Sequence, residues 1–157
     1  MEQLKLFNKR YEIRAVEEIP DVEYLSETVK AVSSDIICKY LKKVFYSQRS
    51  PIQEHFVILA LDRSNKVIGL YQLSMGGRSS TIVDPVLALK FLIESCASAC
   101  ILSHNHPSGN RQPSESDIEL TKKLNRSLKL LDIALLDHII YPENNEYFSF
   151  VDEGISF

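Results

Sequence analysis

Two imidazoles and a carboxylate stand close together in this chain, in Ser103-His104-Asn105-His106-Pro107-Ser108-Gly109 and, after a short loop, Pro113-Ser114-Glu115-Ser116-Asp117. Imidazole and carboxylate both suit a borderline divalent ion such as zinc, and three protein ligands leave a fourth position open for water. That is the composition of a hydrolytic metal site. His-x-His alone serves equally well as two satisfied polar residues at a loop mouth. Ser114-x-x-Asp117 also has the form of a capping box, with serine at N-cap and an acid at N3. The two readings are compatible, because a cap at that place would aim the carboxylate at the histidines. A hydrolase further needs a base to take the proton from water, and the carboxylate best placed for it is Glu54, at the start of an apolar run. In isolation Glu54 reads as an exposed acid at a strand start.

The elements that must position these groups follow from the apolar pattern. Ala97 to Leu102 is a short apolar run that reads as a buried strand, and if His104 and His106 continue it their i, i+2 spacing points both rings to one face. Glu54 to Asp62 is continuously apolar in its middle and rich in β-formers, hence a strand buried on both faces. Beside Glu54, His55 is expected on the opposite face. Ser64-Asn65 is a turn, Val67 to Ser74 the partner strand, and Gly76-Gly77 its end. Ser33-Ser34-Asp35 caps a helix with an apolar face at Ile36, Ile37, Tyr40, Leu41, Val44 and Phe45, ending near Ser47. Asp84-Pro85 opens another, with an N-cap beside an N1 proline.

Ser114 starts a third helix with an apolar stripe from Ile118 to Leu131 and a basic stripe of Lys122, Lys123, Arg126 and Lys129, whose ordinary reading is a solvated face. Ile133 to Tyr141 is a further buried strand with Asp137-His138 inside it, and Tyr147 to Phe150 a last short one. Before these, Leu4 to Ile19 reads as an edge strand or extended arm, and Tyr24 to Val32 as a short helical piece with Ser26 as its cap. The tail from Val151 to Phe157 has no strong pattern. Strands alternate with helices, so the fold class is α/β or α+β, a mixed central β-sheet covered by helices.

Bulk properties narrow the function classes. The 157 residues, 45% hydrophobic, suffice for one domain with a real core. With 18 Lys+Arg against 21 Asp+Glu there is no global basic field to attract nucleic acid. Cys38, Cys96 and Cys100 are odd in number and lack C-x-x-C spacing, against a disulfide framework or a cysteine-rich zinc module. No apolar run reaches membrane-spanning length and the first residues carry no leader-like apolar region, so no membrane association and a cytoplasmic location are expected.

Glutamate on an early strand, then His104-x-His106-Pro107, then Ser114-x-x-Asp117 together resemble the JAMM (MPN+) metalloprotease signature. The closer resemblance is to the RadC-like JAB domain family, through His104-Asn105-His106-Pro107-Ser108-Gly109, Pro113-Ser114-x-x-Asp117 and Leu136-Asp137-His138-Ile139-Ile140. It covers roughly Ser34 to Gly154, so 34–157 reads as the domain and 1–33 as an N-terminal extension. The resemblance implies a JAB/MPN, cytidine-deaminase-like architecture with Zn2+ held by His104, His106 and Asp117. It also implies Glu54 as general acid/base, Ser114 as hydrogen-bond donor to a developing oxyanion, and a peptide or isopeptide substrate. Asp137 and His138 then read either as a pair orienting a ligand from behind or as a satisfied polar pair in a buried strand.

Arg78 and Arg111 can bind a substrate carboxylate or phosphate, their plain reading being exposed loop charges. RadC-like proteins commonly carry an N-terminal helix-hairpin-helix region, and no Gly-rich hairpin precedes Glu54 here. That absence weakens the DNA-repair label; the alternative function is nonetheless a DNA-repair-associated module whose metal site is not proteolytic, resting on the family's label and the basic helix face. The oligomeric state is not legible.

Overall fold

The computed structural model describes residues 29–49, 51–76, 82–141 and 146–157. The expected arm over Leu4 to Ile19 and the Ser26 cap lie outside them. The described end of the expected first helical piece is not helical. Lys30 bridges Lys66 in antiparallel fashion, with Ala31 N–H donating to the Asn65 carbonyl (2.8 Å) and Val67 N–H to the Val29 carbonyl (2.9 Å). The backbone finds ladder partners at the neighbouring turn, and Val29 and Ala31 pack on the core.

Helix α1 (Ser34–Val44) begins where Ser33 accepts a hydrogen bond from the Ile36 amide (3.3 Å). Its buried face is Ile37, Cys38, Tyr40, Leu41 and Val44, and a 3-10 turn over Tyr46–Gln48 closes it. Strand β1 (His55–Leu61) follows, buried throughout, and pairs antiparallel with β2 (Val67–Met75). Asp84 accepts from the Val86 amide with Pro85 as the first residue of α2 (Pro85–Glu94). This helix lies close on β2, where a Cβ on Gly69 would sit 3.2 Å from Phe91 Cζ. Then come β3 (Ala99–Asn105), α3 (Glu115–Lys129), β4 (Ala134–Tyr141) and the two-residue β5 (Phe148–Ser149).

The sheet runs in the order β2-β1-β3-β4-β5, with β3 and β4 parallel and the other neighbours antiparallel. Its two faces are both covered, which is why β1 reads as one unbroken apolar run. Val57, Leu59, Leu61 and Ile101 meet α1, whereas Phe56, Ile58, Ala60, Cys100 and Leu102 meet α2 and α3. The architecture is the expected α+β one, a five-stranded mixed sheet with three helices. No helix of the described residues is long and apolar enough to cross a membrane.

One irregularity bears on the site. Cys100 pairs with Leu135 but Ile101 pairs with Asp137, so Leu136 is an extra residue in β4. Such a bulge inverts the alternation beyond it. Leu135 faces α3, and without the bulge His138 would face α1; with it His138 stands beside Leu102 on the α3 side, and Asp137 turns away. The patternless tail is also ordered onto the core, since Ile155 and Phe157 pack against Ile140, Phe148 and Phe150.

Candidate metal centre

Three side chains converge where β3 ends. His104 is the next-to-last residue of β3, His106 follows the strand, and Asp117 is in the first turn of α3. One ligand atom of each lies within 4.8 Å of the other two. The two Nε2 atoms are 2.8 Å apart, and each lies 3.4 Å from an Asp117 oxygen, Oδ1 for His104 and Oδ2 for His106. His104 is fully buried and stacks on Phe56, its partner in the β1–β3 register.

The loop after the strand holds the proton position of His106. The Gly109 amide donates to the His106 carbonyl (2.9 Å), and Gly109 sits at φ +74°, a left-handed conformation that glycine adopts without a Cβ penalty. The turn brings the Asn110 carbonyl to 2.6 Å from His106 Nδ1. A carbonyl only accepts, so Nδ1 carries a proton; in the neutral ring Nε2 then has the lone pair, and in the metal-free site a second proton on Nε2 fills the contact with His104 and Asp117. Two imidazole nitrogens and a carboxylate, with one ligand atom of each close to the other two, are the borderline donor set that a zinc-like cation takes. The residues therefore fit a divalent metal.

Electrostatics point the same way. Burial alone would raise the Asp117 carboxyl, but contacts from His104 and His106 and the Ser114 hydroxyl hold it well below the usual carboxylate range. Burial alone would lower His106, but Asp117, the Asn110 carbonyl and the charge of Glu54 outweigh it and raise the ring's affinity for a proton. The site attracts positive charge.

Ser114 forms both halves of a capping box with Asp117. Its hydroxyl donates to Asp117 Oδ2 (2.6 Å), its amide donates to the same oxygen (2.7 Å), and the Asp117 amide donates back to the hydroxyl oxygen (3.2 Å). The cap reading is thus correct, and it is also what orients the carboxylate.

Glu54 precedes β1 and is buried. Phe56 pairs with His104, so continuing that antiparallel register sets Glu54 opposite His106. Burial raises its carboxyl above the ordinary carboxylate range, with Asp117 adding to the effect and the two histidines opposing it. Asn105 clamps the backbone on both sides of it: the His55 amide donates to Asn105 Oδ1 (2.7 Å), and Asn105 Nδ2 donates to the Gln53 carbonyl (2.9 Å). His55 lies on the opposite face against Phe45, as its alternation with Glu54 requires.

Asp137 and His138 separate. His138 is fully buried, with Nε2 2.8 Å from His104 Nδ1 and Nδ1 2.6 Å from the Thr121 hydroxyl. Burial pushes its basicity well below the ordinary value. Asp137 is on the other face, accepting from the Ser34 and Ser149 hydroxyls (3.0 and 2.6 Å) and the His138 and Val151 amides (2.8 and 3.2 Å). It ties α1, β4 and β5 together instead of supporting a ligand. Arg111 is exposed and pairs with Glu146 (3.0 Å), and Arg78 lies outside the described residues. Asn105 was visible within the histidine motif without a role. Thr121 was hidden in the apolar repeat of α3; its one signal is the i, i+4 spacing from Asp117.

Residues 31–155 match the RadC-like JAB domain family. The chain belongs to that family. Among curated relatives, this RadC-like JAB domain is 50% identical over 102 residues to a UPF0758 protein of Flavobacterium johnsoniae, covering 65% of this chain and 44% of that protein. It is 45% identical over 103 residues to a UPF0758 protein of Porphyromonas gingivalis, covering 66% and 45%. A UPF0758 protein of Fusobacterium nucleatum is 41% identical over 130 residues, 82% of this chain and 54% of the relative. This RadC-like chain thus spans about half the length of these relatives.

Proposed function

We propose that this RadC-like JAB domain is a zinc-dependent hydrolase of JAMM type that cleaves an amide or isopeptide bond. The observation that carries the reading is the convergence of His104 Nε2, His106 Nε2 and the Asp117 carboxylate, with buried Glu54 beside them. When bound there, zinc supplies Lewis acidity, polarising a carbonyl and lowering the pKa of water to about 7.

The chain's own groups would do the rest. Glu54 takes the proton from the attacking water, and its raised proton affinity suits it to carry that proton to the leaving amine. Asn105 keeps the backbone around Glu54 in register. The Ser114 hydroxyl, which here donates to Asp117 Oδ2, would supply a hydrogen bond to the oxyanion of the substrate, while its amide would keep the carboxylate oriented. Ser114 and Ser116 are exposed beside Asp117, with their hydroxyls 2.7 Å apart.

The test is metal content and hydrolysis together. Purified protein reconstituted with zinc and screened against peptide and isopeptide libraries is expected to bind one ion and release an amine product. Zinc held equally well by a His104→Ala/His106→Ala double variant would overturn the assignment.

A further inference from the structure

We infer that Thr121, acting through His138, sets the proton position of His104 and so turns an unprotonated Nε2 toward the metal position. The inference rests on the reading of His104 as a ligand, and it adds a positioning residue that does not itself touch metal or substrate.

The argument is donor and acceptor arithmetic along one buried chain of atoms. Thr121 Oγ1 lies 2.5 Å from the Asp117 carbonyl oxygen, one helical turn earlier. A carbonyl only accepts, so the hydroxyl gives its one proton there, the usual back-bond of a helical threonine. Thr121 Oγ1 then has only lone pairs left for His138 Nδ1 at 2.6 Å, and that nitrogen must donate. In a neutral His138 this leaves Nε2 bare, and it accepts from His104 Nδ1 at 2.8 Å. A neutral His104 with its proton on Nδ1 has its lone pair on Nε2, the atom 2.8 Å from His106 Nε2 and 3.4 Å from Asp117 Oδ1.

Reversing the first bond reverses every later one. If Thr121 donated to His138 Nδ1, His138 Nε2 would donate to His104 Nδ1, and His104 Nε2 would carry a hydrogen that blocks ligation. One hydroxyl proton therefore decides whether the site can form. Thr121, His138 and His104 are each fully buried, so water does not compete for any position. His138 is further held by stacking on Phe150 (centroids 4.7 Å apart) and by the edge contact with Phe56 (5.4 Å). Asp117 thus supplies two things from one residue: a carboxylate toward the metal position and a backbone carbonyl that orients the relay.

The experiment uses 15N-histidine-labelled, zinc-free protein, reading the His104 tautomer by long-range 15N–1H correlation, and zinc affinity by chelator competition. Wild type is expected to show His104 protonated on Nδ1. Thr121→Val, nearly isosteric but without the hydroxyl, is expected to move His104 toward the Nε2-protonated form and to weaken zinc binding by about 10- to 100-fold. Thr121→Ser, which keeps the hydroxyl, is expected to restore both. A wild-type His104 protonated on Nε2 overturns the inference even if Thr121→Val does not fold. So does a Thr121→Val protein with an unchanged tautomer and the zinc affinity of Thr121→Ser. A tautomer that responds to Thr121→Val in a wild-type background that binds no zinc supports the relay and removes the metal reading instead.

Discussion

The Ser114 hydroxyl lies 2.6 Å from Oδ2 of Asp117, and the same oxygen also receives the Ser114 amide. One carboxylate therefore terminates a helix and faces two histidines. The start of α3 and the geometry of the site are a single local structure, so a change at the cap is felt at both.

Ser114→Ala removes the hydroxyl acceptor of the Asp117 amide and one donor to its carboxylate. Loss of a serine cap costs about 1 kcal/mol, and removal of a group that orients a metal ligand costs about 10-fold or more in metal affinity. Urea unfolding of the zinc-free protein and chelator competition are expected to show both losses together, with Ser114→Thr recovering most of each. A stability loss with zinc affinity unchanged would mean that the amide bond alone orients Asp117.

Glu54→Gln keeps the shape of the side chain and removes its base. Zinc content is expected to stay near wild type while hydrolysis falls by about 100-fold or more, the usual contribution of a positioned general base. The zinc-free variant is also expected to be more stable than wild type at neutral pH, because burial disfavours the Glu54 carboxylate. Calorimetry beside a turnover assay separates these effects, and equal turnover in the two proteins would exclude Glu54 as the base.

The zinc-free protein should be most stable in mildly acid solution. Asp117 is held below its ordinary 3.8, so its contribution is present above that value and lost as pH falls. His106 is raised above 6.5, so its contribution is full below 6.5 and disappears as pH rises through the higher folded value. Glu54, raised above 4.5, also loses its contribution as pH rises. His138, lowered well below 6.5 by burial, acts the other way and costs stability as pH falls below 6.5, so Tm measured in EDTA is expected to peak at about pH 6 and to fall above it. Excess zinc should lift the alkaline side, since metal binds the deprotonated ligands. A Tm in EDTA that climbs steadily from pH 6 to 8 would contradict the shifts on which this rests.

Asp137→Ala strips four hydrogen-bond donors of their shared acceptor at a buried site. The expected loss is about 3 kcal/mol in denaturant unfolding, with Asp137→Asn losing less. Because Asp137 faces away from His104, the folded fraction should bind zinc as wild type does. A selective loss of zinc affinity with stability intact would return Asp137 to the site.

Much of this molecule was legible in residue order because its signals are local. The caps at Ser33, Asp84 and Ser114 all act where their chemistry places them, since a cap is decided within four residues. The unbroken apolar run of β1 announced a strand covered on both faces. The histidine pair and Ser114-x-x-Asp117 met as their types implied. Lys30 was misread because its partner, Lys66, lies in a distant turn that no local pattern mentions.

The sequence by itself determined which groups can ligate, cap and accept a proton, since donor type and i, i+2 or i, i+3 spacing are chemical properties of neighbouring residues. Only the tertiary structure decided which of two adjacent polar residues serves the site. The bulge at Leu136 turns His138 toward His104 and Asp137 toward Ser34. A strand's alternation states that neighbours face opposite ways, but which way is settled by register against another strand, and that is a non-local pairing. The path from Thr121 through His138 to His104 exists for the same reason: it crosses from a helix to two strands that meet only in the folded chain.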